Sequence, residues 1–288
     1  VSQLSDPGNE NLMKLATVRT MSGTAAAMVD DESVSLLSYD DAGSALRSAP
    51  MSALGQARTG IELGLDEVTF APVIPEPTKI ICVGLNYRDH VEEMGRELPT
   101  APTCFAKFAG ALIGASDTVE MPAADVSNSV DWEVELTVVI GSPVRNATAN
   151  EAMAAIAGYT VLNDVSMRDW QTRSIQFLAG KTWEHCTPVG PWVVGKEVLG
   201  DGSGLGVSCE VNGITKQSSN TDNLVFGAVD LVQDLSKVIT LEPGDLIATG
   251  TPGGVGAGRD PKEFLQDGDV LTTTIEGIGT LINPCRRA

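Results

Sequence analysis

A chain of 288 residues is long enough for one large domain, or a large and a small one, around a sizeable core. Its apolar fraction of 42% and charged fraction of 20% are those of an ordinary globule, and no apolar run reaches the roughly 18 residues a membrane span needs. The net charge of −19 argues against nucleic acid or anionic membrane as a partner, since both require clustered Lys and Arg, and an anionic substrate must be met by local positive charge.

Residues 1–13 are polar, lack the basic and apolar segments of a secretory signal, and read as a flexible leader. Residues 14–76 read as a small N-terminal α+β domain. Lys14–Thr20 and Ser33–Leu37 have strand character, Asp40–Gly43 is a stop, and the Ala/Leu/Gly-rich stretch 45–65 suits one or two short helices. The prolines at 72, 75 and 77 read as an extended linker, with the catalytic domain following over 77–288.

After a short apolar strand at 79–84, Asn86 or Asp89 can cap a helical turn that carries His90 and Glu93. Three positions apart on a helix, these two can touch, and a carboxylate beside imidazole makes a general base. The plainer reading is a surface helix with a stray histidine. Pro102–Gly114, around Lys107, reads as another strand.

The stretch from Val130 to Gly141 alternates at period two, with Val130, Trp132, Val134, Leu136, Val138 and Ile140 on one side and Asp131, Glu133, Glu135 and Thr137 on the other. The plain reading is a strand with one wet face. Yet Val138-Val139-Ile140 is apolar on both faces, so the strand runs inward, where neighbouring carboxylates need a cation between them. Ala149–Gly158 reads as a helix capped by Thr148 or Asn150 and stopped by Gly158, followed by a strand at 159–164 that ends in a third acid, Asp164. Glu133, Glu135 and Asp164 thus form a candidate site for a hard divalent cation. There are two histidines, His90 and His185, too few for a His-rich site.

Arg168, Gln171 and Lys181 follow as donors suited to a small carboxylate, although Arg168 could equally neutralise Asp169. Thr187–Val194 reads as a Pro/Gly turn into a strand. Gly206–Val211 and Ile214–Gln217 read as a hairpin on Asn212-Gly213, Ala228–Ser236 as a helix, and the segment after 265 as a turn into a last strand pair. The buried strand at 246–249 opens into a glycine loop that lacks the spacing and lysine of a P-loop, so nucleotide binding is rejected, while its bare N–H groups could hold a carboxylate. Five widely spaced cysteines give neither a disulfide framework nor a zinc pattern, and the reducing cytoplasm is the expected compartment.

In order along the chain, Val83–His90, Asp131–Leu136, Asn163–Gln171, Lys181 with Thr187–Pro191, and Gly244–Gly256 resemble the motifs of the fumarylacetoacetate hydrolase family. The resemblance spans about residue 79 to the C-terminus. It implies an α+β, β-rich fold, a mixed β-roll or distorted barrel with a small N-terminal domain, usually as a homodimer. It further implies Mg2+, Mn2+ or Ca2+ on Glu133, Glu135 and Asp164, a water-activating His90/Glu93 pair, and Lys181, Arg168, Gln171 and Thr251, with the Gly250 loop, near a 2-oxo acid substrate. Glu184 departs from the aspartate of many members.

On this reading the cation polarises the keto acid, His90 activates water and Lys181 steadies the oxyanion. The expected reaction is C–C cleavage of an acylpyruvate, fumarylpyruvate first, in aromatic-compound catabolism. Oxaloacetate decarboxylation, keto–enol tautomerisation and dienoate isomerisation are the alternatives on the same scaffold, and a non-catalytic metal-binding protein is a distant one.

Overall fold

A computed structural model describes residues 14–288 apart from Met94 and Arg96. The expected leader lies outside the described residues, and so does Arg96, which by sequence is a candidate contact for a second carboxylate or, on the plainer reading, an exposed helix-end arginine. The chain opens with an antiparallel meander, β1 (Lys14–Thr20), β2 (Gly23–Val29) and β3 (Ser33–Leu37). Residues 40–43 follow the end of β3, as a stop there requires, and they also start a helix. Asp41 Oδ1 accepts from the Ser44 amide at 2.8 Å, and the Ser44 hydroxyl accepts from the Asp41 amide, which caps α1 (Ala42–Ser48). Pro50 ends that run, and the rest of 45–65 is a 3-10 segment, Met51–Ala57, and a strand, β4 (Arg58–Gly64), which pairs with β3. The one or two short helices expected of this stretch are α1 and the 3-10 segment, and β4 is the element its composition did not suggest.

The next elements are β5 (Ile80–Gly84), α2 (Arg88–Glu93), β6 (Thr103–Lys107), and the short β7 (Leu112–Ile113) and β8 (Val119–Met121). The Val130–Gly141 run is not one continuous strand: it is broken at Trp132-Glu133 into β9 (Val130–Asp131) and β10 (Val134–Ile140). Nor has it a wet face. Every residue of β10 is buried, because β11 and β16 flank it and a second sheet covers it.

Helix α3 (Ala149–Ala155) is capped by Thr148 and gives way at once to β11 (Ile156–Asn163). Gly158 is therefore inside a strand, not at a helix stop. A Cβ there would lie 2.0 Å from the Val194 carbonyl oxygen, so only glycine lets β11 approach its neighbour this closely. Then come β12 (Ser166–Met167), α4 (Arg168–Gln171), α5 (Leu178–Lys181), β13 (Thr187–Gly195), α6 (Lys196–Leu199), and the expected hairpin of β14 (Gly206–Val211) and β15 (Ile214–Asn220). Helix α7 (Ala228–Val238), β16 (Leu246–Ala248), β17 (Val270–Ile275) and β18 (Gly279–Arg287) complete the chain.

The large sheet runs β4-β3-β2-β1-β13-β11-β10-β16-β5-β6, with β7 added in parallel on β13. It is mixed, since β5 and β16 are parallel and most other pairs antiparallel. Pairing of β1 with β13 makes the N-terminal strands a continuation of this sheet. A five-stranded sheet, β15-β14-β17-β18-β8, packs over β10, β11 and β13. Trp132, Leu136, Val138 and Val161 fill the space between them with Cys209 and Leu281. The protein is α+β and sheet-rich, and its sheets remain open among the described residues, so roll and not closed barrel is the form adopted. Among those residues no helix is long and apolar enough to cross a membrane.

Candidate active site

Glu133, Glu135 and Asp164 meet at the inner end of β10 and β11, with one oxygen from each lying within 4.8 Å of the others. The break at Trp132-Glu133 makes this possible: Asn163 Oδ1 takes the Glu133 amide at 3.0 Å and the Glu133 carbonyl takes the Asp164 amide at 2.9 Å, pinning the ends of two strands together. All three acids are buried, and each has a different set of partners. Glu133 meets Lys181 Nζ at 2.7 Å and Arg168 Nη2 at 2.6 Å. Asp164 lies between Lys107 and Lys181, with Lys181 Nζ 2.7 Å from its Oδ2. Among the described residues Glu135 accepts one hydrogen bond, from the Gly250 amide at 2.7 Å, and has no cationic side chain as partner.

Charge states follow from those partners. Burial works against ionisation of Glu133, but Lys181 and Arg168 outweigh it and hold its carboxyl below the usual range. For Glu135, burial and the repulsion of Asp164 and Glu133 act together and push its carboxyl well above that range. Burial would lower the Lys181 ammonium pKa, yet Asp164 and Glu133 raise it, so Lys181 stays charged and is a hydrogen-bond donor, not a base. Asp131, Glu133 and Asp164 are balanced by Lys107, Arg168 and Lys181, so ionising Glu135 would add one uncompensated negative charge. A trio of oxygen donors with an unbalanced carboxylate at its centre fits a hard divalent cation, which Glu133, Glu135 and Asp164 would hold.

His90 lies on α2 with Nδ1 3.1 Å from Glu93 Oε2, the contact expected from their spacing. Glu93 in turn accepts weakly from the Gly254 amide, at 3.3 Å, and this docks α2 on the glycine loop. With Nδ1 held, the imidazole has Nε2 left for chemistry.

The glycine loop does hold carboxylates through its backbone, but they are the protein's own. Gly250 N–H goes to Glu135, and the Gly256 and Ala257 amides go to Asp131 at 2.7 and 2.9 Å. Gly250 has φ +100°, and a Cβ would come within 2.8 Å of the Val83 carbonyl oxygen.

A cavity of about 480 Å3 opens over this machinery. Of the residues singled out from the sequence, His90, Glu133, Arg168, Gln171, Lys181 and Thr251 line it, with an apolar wall that includes Val83, Phe105, Phe177 and Phe264. Glu93, Glu135, Asp164 and Gly250 are not among the cavity's lining: Glu93 contacts His90 and Asp164 contacts Lys181, both of which line it, while Glu135 and Gly250 bond to each other. Arg168 Nη1 donates to Gln171 Oε1 at 3.0 Å, and Thr251 Oγ1 accepts from Gln217 Nε2 at 2.8 Å. Arg168 does not neutralise Asp169: its Nε pairs with Asp131 at 2.8 Å, while Asp169 accepts from the Ser127 hydroxyl. His185 and Glu184 are exposed and outside the cavity; His185 meets Glu120 at the surface.

Three important groups were not recognised from the sequence. Lys107 is fully buried against Asp164, and its signal was a single lysine among the small and apolar residues of β6. Asp131 bridges Arg168 to the glycine loop, and Gln217 links β10 to Thr251 through the Val134 amide at 3.0 Å. Neither had a local signal, because their partners are more than 30 residues away.

The model for the C-terminal region of fumarylacetoacetate (FAA) hydrolase matches residues 79–286. Oxaloacetate tautomerase Fahd2a, mitochondrial, from Rattus norvegicus is 45% identical over 218 residues, 75% of this chain and 69% of that protein. Among solved structures, fumarylacetoacetate hydrolase from psychrophilic Exiguobacterium antarcticum superposes with a TM-score of 0.86 at 31% identity, covering 96% of this chain and 100% of that one. The 2-hydroxyhepta-2,4-diene-1,7-dioate isomerase of Mycobacterium marinum gives 0.79 at 33% identity, over 96% and 98% of the two chains. The match spans the strands that carry the buried acids, the His90 helix and the glycine loop alike, and the chain belongs to the fumarylacetoacetate hydrolase family.

Proposed function

We propose that this chain interconverts the keto and enol forms of a short 2-oxo dicarboxylic acid of the oxaloacetate type. The observation that carries the reading is that His90, with Nδ1 held by Glu93, and the permanently charged Lys181 and Arg168 open on one cavity. Its support from relatives is the oxaloacetate tautomerase named above and the isomerase among the solved structures. The expectation of fumarylpyruvate hydrolysis has less behind it and becomes the second reading.

In the proposed reaction Arg168, steadied by Gln171, binds the carboxylate next to the keto group. His90 Nε2 removes a C3 proton, and the C–H electron pair forms the C2–C3 double bond as charge moves to the C2 oxygen. The same proton is then delivered to that oxygen, so the keto acid becomes the enol with no net gain or loss of atoms. Lys181 donates a hydrogen bond toward the developing negative charge. A divalent cation bound by Glu133, Glu135 and Asp164 would supply Lewis-acid stabilisation of that charge, and Mg2+ or Mn2+ suits the small all-oxygen donor set better than Ca2+.

Hydrolysis would use the same base on water, so a side-by-side assay separates the two. Loss of enol absorbance from oxaloacetate should far exceed release of pyruvate from fumarylpyruvate; the reverse ranking would return the hydrolase reading. The homodimer belongs to this proposal and is checked by sedimentation. All five cysteines are free, which suits a reducing compartment, and the relative's name favours the mitochondrion over the cytoplasm.

A further inference from the structure

The cations at the inner end of the cavity are all committed to carboxylates, Lys181 to Glu133 and Asp164, Arg168 to Asp131 and Glu133. Lys262 also lines the cavity, and it is exposed. Among the described residues it has no ion-pair or hydrogen-bond partner, because its neighbour Glu263 pairs with Lys216 at 2.6 Å and faces Arg259 at 3.9 Å.

The loop that carries Lys262 is well anchored. The Glu263 amide donates to the Gly256 carbonyl at 3.1 Å, the Leu265 amide to the Val130 carbonyl at 2.8 Å, and the loop's start is held by Asp131. Asp131 is also the carboxylate that holds Arg168. One buried side chain therefore fixes the loop of the outer cation relative to the inner guanidinium. The same lining includes the apolar Phe105, Phe177 and Phe264, and its two carboxylates are already engaged, Glu133 by Lys181 and Arg168 and Asp169 by the Ser127 hydroxyl.

We propose that Lys262 is a specificity-determining residue that binds the distal carboxylate of the substrate, so that the cavity selects 2-oxo dicarboxylates over 2-oxo monocarboxylates. This rests on the 2-oxo acid reading above. An exposed lysine is a modest contact on its own, but next to an apolar wall it meets a carboxylate that has lost part of its hydration. A protein of net charge −19 would otherwise repel a dianion, so a free cation at the mouth also speeds capture.

The test is calorimetric binding of oxaloacetate and of pyruvate to Mn2+-loaded wild type, K262Q, K262E and K262R. The expected pattern is oxaloacetate affinity down about fivefold in K262Q, down further in K262E and restored in K262R, with pyruvate affinity unchanged throughout. Unchanged oxaloacetate affinity in K262Q and K262E would overturn the assignment, as would an equal loss for pyruvate. If the expected affinities are found but no variant, wild type included, accelerates enol loss, Lys262 keeps its role and the tautomerase reading falls.

Discussion

The two ends of the cavity are built on opposite plans. At the inner end the charged groups are buried, or nearly so for Arg168, and engaged: Lys107, Lys181 and Arg168 against Asp131, Glu133 and Asp164, with Glu135 lacking a cationic partner among the described residues. At the outer end the wall is aromatic and aliphatic, and Lys262 is exposed and unpaired among the described residues. Buried, saturated networks fix geometry because each broken contact leaves a charge in a poor solvent. A wet, lightly charged mouth can change its substrate preference by one residue without endangering the fold. On the function proposed, the chemistry is held at the inner end and the choice of substrate at the outer.

The largest effect should come from removing the cation-binding group without a cationic partner. Glu135→Ala, or chelation of wild type, should abolish turnover, and metal-free activity at the wild-type rate would contradict the role given to the acids. His90→Ala should lower the rate by about 10²- to 10⁴-fold while leaving the Mn2+ affinity intact; a variant that keeps its rate shows that the proton carrier lies elsewhere. Next is the inner network itself. Lys107→Met leaves Asp164 with one cationic partner in a buried position and should cost about 3 kcal/mol in urea unfolding, whereas a loss under 1 kcal/mol would mean that Lys107 is dispensable there.

The smallest predicted effect is on stability against pH. In the metal-free protein the Glu135 carboxyl is raised by burial and by Asp164 and Glu133 above its ordinary value near 4.5. Below that value the group is protonated in both folded and unfolded chains. As pH rises above it the unfolded chain ionises first, so this contribution to stability is lost on the way up through the folded-state pKa. A cation binds the ionised form, and the Tm increase on adding Mg2+ should therefore grow from pH 5 to pH 8 (about 1–3 °C in all). Glu135→Gln should flatten that growth. A Tm increase independent of pH in wild type would mean that Glu135 takes no part.

Much of the inner end could be read from local spacing. The i,i+3 pair of His90 and Glu93, the Glu133/Glu135 doublet and the acid closing the next strand are short-range patterns, and the fold brings their side chains to one place. The regular alternation in Val130–Gly141 was misleading about exposure, because burial of β10 comes from β14 and β17, far along the chain. It also hid the break at Trp132-Glu133, which is stabilised by hydrogen bonds that the Glu133 and Val134 amides donate to Asn163 and Gln217. Gly158 looked like a helix stop because glycine's local meaning is a turn, while its use here is contact with the carbonyl of Val194. Lys262 could not be recognised for the same reason: nothing in Asp260-Pro261-Lys262-Glu263 says which wall the loop covers.

The most direct test of the central claim is Mn2+ binding followed by electron paramagnetic resonance in wild type and Glu135→Ala. One tight site per chain in the wild type, lost in the variant while circular dichroism stays native, is the expected result. An equal number of equally tight sites in both proteins would contradict it, and the buried acids would then be a structural network and not a metal centre.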